Sequence, residues 1–140
     1  MSNNSHLVFC VPGKPQAKQR ARVCKFGTYT PKETINYENL ITMCFLDQIK
    51  IDNPIESPII IYITARFAPA NSFSATKKRK MIVGNIKHTQ KPDLDNIIKT
   101  VKDALNKVAY KDDSQIYAIW AKKEYHDKDE LLVTIKEVCE

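Results

Sequence analysis

Apolar and polar positions along the chain mark out a short series of elements. The run Leu7 to Val11, closed by the turn pair Pro12-Gly13, predicts a strand. Lys14 to Lys25 is polar and basic and predicts a loop leading into a short extended piece near Gly27. Thr30-Pro31-Lys32-Glu33 has the form of a helix start: a hydroxyl to cap backbone N–H groups, a proline in the first turn and a glutamate to reach back. Tyr37, Leu40, Ile41, Cys44, Phe45 and Ile49 then fall on one stripe and carry that helix to about Lys50. Pro54 and Pro58 mark a loop, and Ile59 to Phe67, β-branched and aromatic, predicts a strand. Ser74 to Val83 predicts a short basic helix, followed by a loop from Gly84 to Pro92. The clearest helix is Leu94 to Val108, where Leu94, Ile97, Ile98, Val101, Ala104, Leu105 and Val108 recur at spacings of three and four. A charged turn at Lys111 to Ser114 precedes two strands, Ile116 to Glu124 and Glu130 to Val138, which the turn Tyr125 to Asp129 would join as a hairpin. This order predicts an α+β (mixed α/β) fold over residues 1–140: one domain with a small mixed sheet packed against two or three helices.

The chain has 140 residues, the length of one domain, and at 43% hydrophobic it can bury a real core, which excludes global disorder. The apolar run Ile59 to Ile63 is far short of the roughly 20 residues of a membrane span. Met1 to His6 is polar and lacks the apolar segment of a secretory signal, so a cytoplasmic location and no membrane partner are expected. Cys10, Cys24, Cys44 and Cys139 form no CxxC pair and the three histidines are scattered, which argues for reduced thiols over a zinc site.

Charge changes the picture more. The net +6 hides a split: residues 1–92 hold 14 Lys/Arg and 5 Asp/Glu, whereas residues 93–140 hold 8 and 11. A basic part joined to an acidic part suggests a polyanion partner beside a carboxylate-rich site, although ordinary solvated surface accounts for the composition equally well. Two basic clusters sharpen the first reading: Lys14, Lys18, Arg20 and Arg22, and Lys77, Lys78, Arg79 and Lys80. Both are candidates for tracking a phosphate backbone.

The acidic chemistry concentrates in Lys91-Pro92-Asp93-Leu94-Asp95-Asn96, then Lys99, then Asp112-Asp113. In an extended segment Asp93 and Asp95 point to one side while Leu94 anchors the other, and Pro92 disfavours helix before them. At a helix start the carboxylates also meet partial positive charge. Clustered carboxylates without His or Cys suit a hard cation, Mg²⁺ or Mn²⁺, which can activate a water for attack on a phosphodiester. Lys99, one turn after Asp95, is placed to stabilise phosphoryl charge or orient that water. The same residues have plainer explanations: Asp95 as a helix cap, Lys99 as the partner of Asp95 and Asp103, and Asp112-Asp113 as a turn.

In combination these motifs resemble the RusA family of Holliday-junction resolvases. The resemblance rests on Lys91 to Asn96 with Lys99, on Asp103-Ala104-Leu105-Asn106, and on Asp112-Asp113-Ser114-Gln115-Ile116. It extends to Val11-Pro12-Gly13-Lys14-Pro15, the Lys18-to-Arg22 run and Thr30-Pro31-Lys32. It implies a small homodimeric Mg²⁺-dependent endodeoxyribonuclease that makes paired symmetric nicks in four-way DNA junctions during recombination and repair. Carried over by motif, Asp93, Asp95 and Asp113 would be the metal-binding carboxylates and Lys99 the required lysine, with Mn²⁺ a substitute ion. The family's association with prophages implies a mobile-element origin. Two departures leave junction preference and cleavage sequence open: the Asp103-to-Asp113 spacing is one residue shorter than in the best-known family member, and the basic run reads Gln19-Arg20-Ala21-Arg22 where many relatives carry Gly and Pro. Phe67 or Phe73 is a candidate wedge at the junction, with core packing as the alternative. Rival readings are a non-catalytic branched-DNA-binding protein, a Mg²⁺ nuclease that prefers flaps, forks or RNA hybrids, and an acidic cluster that only caps a helix.

Overall fold

The most β-prone segment of the chain takes the centre of the sheet. In the computed structural model, which describes residues 6–17, 22–29 and 32–138, the elements are β1 (His6–Pro12), β2 (Arg22–Cys24), β3 (Gly27–Tyr29), α1 (Lys32–Gln48), β4 (Ile59–Phe67), α2 (Ala75–Ile82), α3 (Leu94–Leu105), a 3₁₀ turn (Asp113–Gln115), β5 (Ile116–Tyr125) and β6 (Glu130–Glu137). β1, β6, β4 and β5 form a four-stranded sheet in that order, and β2 and β3 pair only with each other. β4 lies antiparallel to β6 and parallel to β5, so the sheet is mixed, as the α+β expectation required. Thr30 and Pro31, the expected cap of the first helix, lie outside the described residues, as does Cys139.

Alternation along β4 sends Ile59, Ile61, Ile63, Ala65 and Phe67 to the helical side, all at 2% exposure or less. α1 covers that side with Tyr37, Ile41 and Phe45, and Phe45 meets Phe9 edge to face with ring centroids 5.4 Å apart. The Gln48 amide closes the junction of α1 with the edge strand: its oxygen accepts from the Cys10 N–H at 2.9 Å and its nitrogen donates to the Cys10 carbonyl at 2.7 Å. α3 adds Ile97, Val101, Ala104 and Leu105, and the Thr42 hydroxyl of α1 donates to the Ala104 carbonyl at 2.8 Å. On the opposite face, register places Val8, Thr134, Tyr62 and Trp120 in one row across the sheet, and Val8, Tyr62 and Trp120 are exposed.

Two expectations need correction. β5 and β6 do not form a hairpin, because β4 lies between them. β4 has an apolar side chain at nearly every position and is stabilised most by neighbours on both edges. The short link Tyr125 to Asp129 steps over its end, where His126 N–H donates to the Phe67 carbonyl at 2.9 Å and Asp129 accepts from the Ala68 N–H at 2.8 Å. Two strand spacings of about 4.8 Å are within the reach of such a link. α3 also ends at Leu105, short of Val108. Asn106 is extended and Lys107 adopts φ 69, which turns the chain so that Tyr110 is fully buried and its hydroxyl donates to the Lys102 carbonyl at 3.0 Å. Burial of that large ring outweighs one more helical turn.

Candidate functional site

The start of α3 sits at the carboxyl ends of the parallel strands β4 and β5, the place where open α/β sheets commonly bind ligands. One side chain fixes it there. Lys123, on the helix-facing side of β5, donates to the Gln90 carbonyl at 2.7 Å and the Pro92 carbonyl at 3.0 Å. Next in the chain comes Asp93, extended at φ −70 and ψ 140 in the N-cap position. An aspartate there ordinarily accepts an N–H bond from the first helical turn. Asp93 makes no such bond, so its carboxylate faces outward with unused acceptors. Asp95, in the first turn, and Lys99, one turn further on, are exposed. The positive end of the helix dipole favours the negative charges of Asp93 and Asp95 without consuming their lone pairs.

A groove of about 530 Å³ opens beside Asp93, lined also by Lys14, Pro15, Lys91, Pro92 and Asn96 but not by Asp95 or Lys99. An acid and two cations thus face one cleft. Lys14 reaches it from the loop after β1, far from Lys91 in sequence. A smaller pocket continues from it, again lined by Lys14 and Lys91 and also by Phe67, Phe73, His88 and Tyr125. The basic helix α2 begins at that pocket: Ser74 caps it by accepting from the Lys77 N–H, and the Lys77 ammonium lies 4.1 Å from the centre of the Phe73 ring. Lys77, Arg79 and Lys80 are exposed and Lys78 is half-buried. Of the first basic cluster, Lys14 joins the groove, Lys18 and Arg20 lie outside the described residues, and Arg22 opens β2.

Asp113 occupies a different place. α3 runs antiparallel to β5, with its start beside Lys123 and its last turns beside Tyr110. From Asp93 to Lys102 is about 14 Å along the axis at about 1.5 Å per residue. Asp112 caps the 3₁₀ turn through a reciprocal pair of bonds with Gln115, and Asp113 follows it. Burial pushes the Tyr110 phenol above its ordinary range, and the negative charges of Asp113 and, more weakly, Asp103 push the same way. Asp113 Oδ1 is buried and accepts no hydrogen bond from the described residues. Asp93 and Asp95 thus stand at the start of α3, Lys99 midway along it, and Asp113 near Tyr110, whose hydroxyl meets the Lys102 carbonyl. Among the described residues no three His, Cys, Asp or Glu side chains stand together as a ready-made cage. The outward pair Asp93 and Asp95 still fits Mg²⁺, which is commonly held by one or two carboxylates, waters and substrate phosphate.

Sequence reasoning missed Lys123 and His88. The signal for Lys123 was its register: alternation puts it on the inner side of β5 with Ala121 and Tyr125, where an unpaired charge is costly. A single histidine in a loop offered no signal.

Comparison with known proteins adds three findings. A family model described as endodeoxyribonuclease RusA matches residues 12–136. The chain is 33% identical over 139 residues to the uncharacterized protein YqaN of Bacillus subtilis (strain 168), a match covering 94% of this chain and 96% of that protein. It is 43% identical over 51 residues to the crossover junction endodeoxyribonuclease rusA of Lactococcus phage r1t, covering 36% of this chain and 39% of the phage protein.

Proposed function

We propose that this chain, which belongs to the RusA endodeoxyribonuclease family, cuts four-way DNA junctions in a Mg²⁺-dependent reaction. The observation that carries this reading is the unused carboxylate of Asp93 at the edge of a groove lined by Lys14 and Lys91. A carboxylate in a cationic groove is poorly suited to a bare phosphodiester and well suited to one that arrives with a divalent ion. The crossover-junction activity named for the phage relative points to the branched substrate.

Asp93 and Asp95 would hold the ion. When bound, Mg²⁺ supplies an activated water and neutralises charge on the scissile phosphate. Lys123 keeps the 90–92 segment in place, which fixes where Asp93 presents its oxygens. Lys99 stabilises charge on the phosphoryl oxygens or orients the water. Lys14 and Lys91 hold the backbone on either side of the cut, and the exposed cations of α2 hold a neighbouring arm through phosphate contacts, which position without reading sequence. Asp113 is the proposed third carboxylate. A homodimer matches the two-fold symmetry of a junction and would make the two nicks as a pair. The exposed row Val8, Tyr62 and Trp120 supports such an assembly. Among the described residues no helix is long and apolar enough to cross a membrane. Action in the cytoplasm during recombination and repair, with a mobile-element origin, completes the reading.

The test is cleavage of a labelled four-way junction with Mg²⁺ or Mn²⁺, competed with flaps, forks and linear duplex. Preferential paired nicking of the junction is expected. A preference for flaps or forks would assign the same site to a different branched substrate, and salt-sensitive binding with no nicking at any metal concentration would make this a non-catalytic branched-DNA-binding protein.

A further inference from the structure

The most exposed large apolar side chain among the described residues stands on a lone β-ribbon. β2 and β3 pair only with each other, and the turn between them is Lys25-Phe26, closed by Gly27 at φ 123. Phe26 is 93% exposed, and Val23, next in order, is 82% exposed. The two rings that the sequence offered as junction wedges differ: Phe67 is 2% exposed, and Phe73 is half-buried with the Lys77 ammonium 4.1 Å from its centre. The Lys25 ammonium stands 5.9 Å from the Phe26 ring centre, at the limit of a cation–π contact, so the ring is not covered. A two-stranded ribbon is marginally stable by itself and gains nothing by holding a phenylalanine and a valine in water. Packing within the chain therefore does not account for Phe26.

Charge selects the occupant. Residues 13–32 hold Lys14, Lys18, Arg20, Arg22, Lys25 and Lys32 and no Asp or Glu. The same ribbon on a second copy would bring like charge to a two-fold contact, whereas a polyanion meets opposite charge. The ribbon is also tethered to the groove. Ala17 lines the groove with Asp93, and Phe26 follows nine residues later in the chain. At about 3.4 Å per extended residue the two lie at most about 31 Å apart, within one turn of duplex at about 34–36 Å. One bound DNA can therefore engage both. We infer that the β2–β3 ribbon is a DNA-stacking element, with the Phe26 ring on a base face at the branch point and Lys25 on an adjacent phosphate; the inference rests on the nuclease reading. Inside linear duplex every base face is covered by its neighbours, while a branch point interrupts that stack. A ring without hydrogen-bonding groups reads no base edge, so Phe26 adds affinity for the branch without adding sequence preference.

The test compares the wild-type chain with Phe26→Ala and Phe26→Trp on a four-way junction and on linear duplex, without divalent ion so that no strand is cut. The tip is exposed, so both variants should fold, and a thermal melt checks it. Phe26→Ala is expected to weaken junction binding about 5- to 150-fold, the range that one stacked base commands, and to leave duplex binding unchanged. Phe26→Trp should restore junction binding, because indole also stacks. With 2-aminopurine placed at successive positions around the branch, the wild-type chain should change the fluorescence at branch positions only, and Phe26→Ala should not. Junction binding by Phe26→Ala equal to wild type overturns the inference, and so does an equal loss on junction and duplex; cutting of the junction by the wild-type chain then leaves the nuclease reading intact. A shift of Phe26→Ala from dimer to monomer in sedimentation overturns it in favour of a second copy on the ribbon. A chain that neither binds nor cuts branched DNA overturns the nuclease reading and this inference with it.

Discussion

Replacing Lys123 with methionine isolates the device that positions the acidic pair. Methionine keeps much of the stem's volume on the inner side of β5 and removes the two bonds, at 2.7 and 3.0 Å, to the Gln90 and Pro92 carbonyls. Hydrogen bonds from a charged donor are worth about 1.5–3 kcal/mol each in protected settings. The bond to Gln90 is solvent-exposed, so the pair together contributes about 2 kcal/mol rather than the full sum. If that energy holds Asp93 in its reacting position, its loss lowers kcat up to about 30-fold, since each 1.4 kcal/mol is about tenfold. Single-turnover cleavage of a saturating junction reads the chemical step, and a thermal melt checks that the fold survives. Lys122→Met is the control. It removes the same charge one residue earlier, from a side chain that pairs with Glu124 and touches neither carbonyl. Equal losses in the two variants would refute the reasoning, because Lys123 would then contribute charge alone.

Other outcomes follow from the same geometry. Lys14→Gln with Lys91→Gln should flatten the log–log salt dependence of junction binding by about 2, close to one released counterion per lysine; an unchanged slope would place the phosphates elsewhere. Tyr110→Phe removes one of the two donors to the Lys102 carbonyl, which still accepts from the Asn106 N–H, and should destabilise the fold by about 1 kcal/mol in urea unfolding without changing junction affinity. Arg66 bonds Glu130 at 2.7 Å and Glu124 at 3.0 Å. Glu130 is held below its ordinary value chiefly by Arg66; burial raises Glu124, but bonds from Lys122 and Arg66 together bring it lower. Both depressed values mean stability that is present above the ordinary value of 4.5 and lost as pH falls through the lower folded value. Arg66→Met should therefore cost most above about pH 5, with the gap to wild type narrowing toward pH 3; a gap independent of pH would contradict the sign.

Local patterns carried much of the fold. The three-and-four spacing from Leu94 to Leu105 marked α3 and the face it buries, and the β-branched run from Ile59 marked the strand that became central. What failed was non-local. Strand order depends on which neighbours β4 gains, and nothing in Tyr125 to Asp129 announces that the link steps over it. The end of α3 was set by the burial of Tyr110, which no helical periodicity records. The acidic pair was legible because Pro92 and the helix start after it fix where Asp93 and Asp95 sit. Its unused cap was not, since aspartate at that position usually bonds the helix. The place of Asp113 near Tyr110 depends on how the chain folds back after α3, a relation visible only in three dimensions. The aromatic pocket joins residues 14, 67, 73, 88 and 125, too scattered to read as a motif.

The central claim is that Asp93 and Asp95 serve a metal ion in a groove whose cations hold DNA. Asp93→Asn and Asp95→Asn, assayed side by side for junction binding and for Mg²⁺-dependent cutting, test it most directly. The account predicts that each substitution abolishes cutting while junction affinity is retained and thermal stability barely moves, because both side chains are exposed and Asp93 makes no cap bond to the helix. Undiminished cutting by both variants would contradict it.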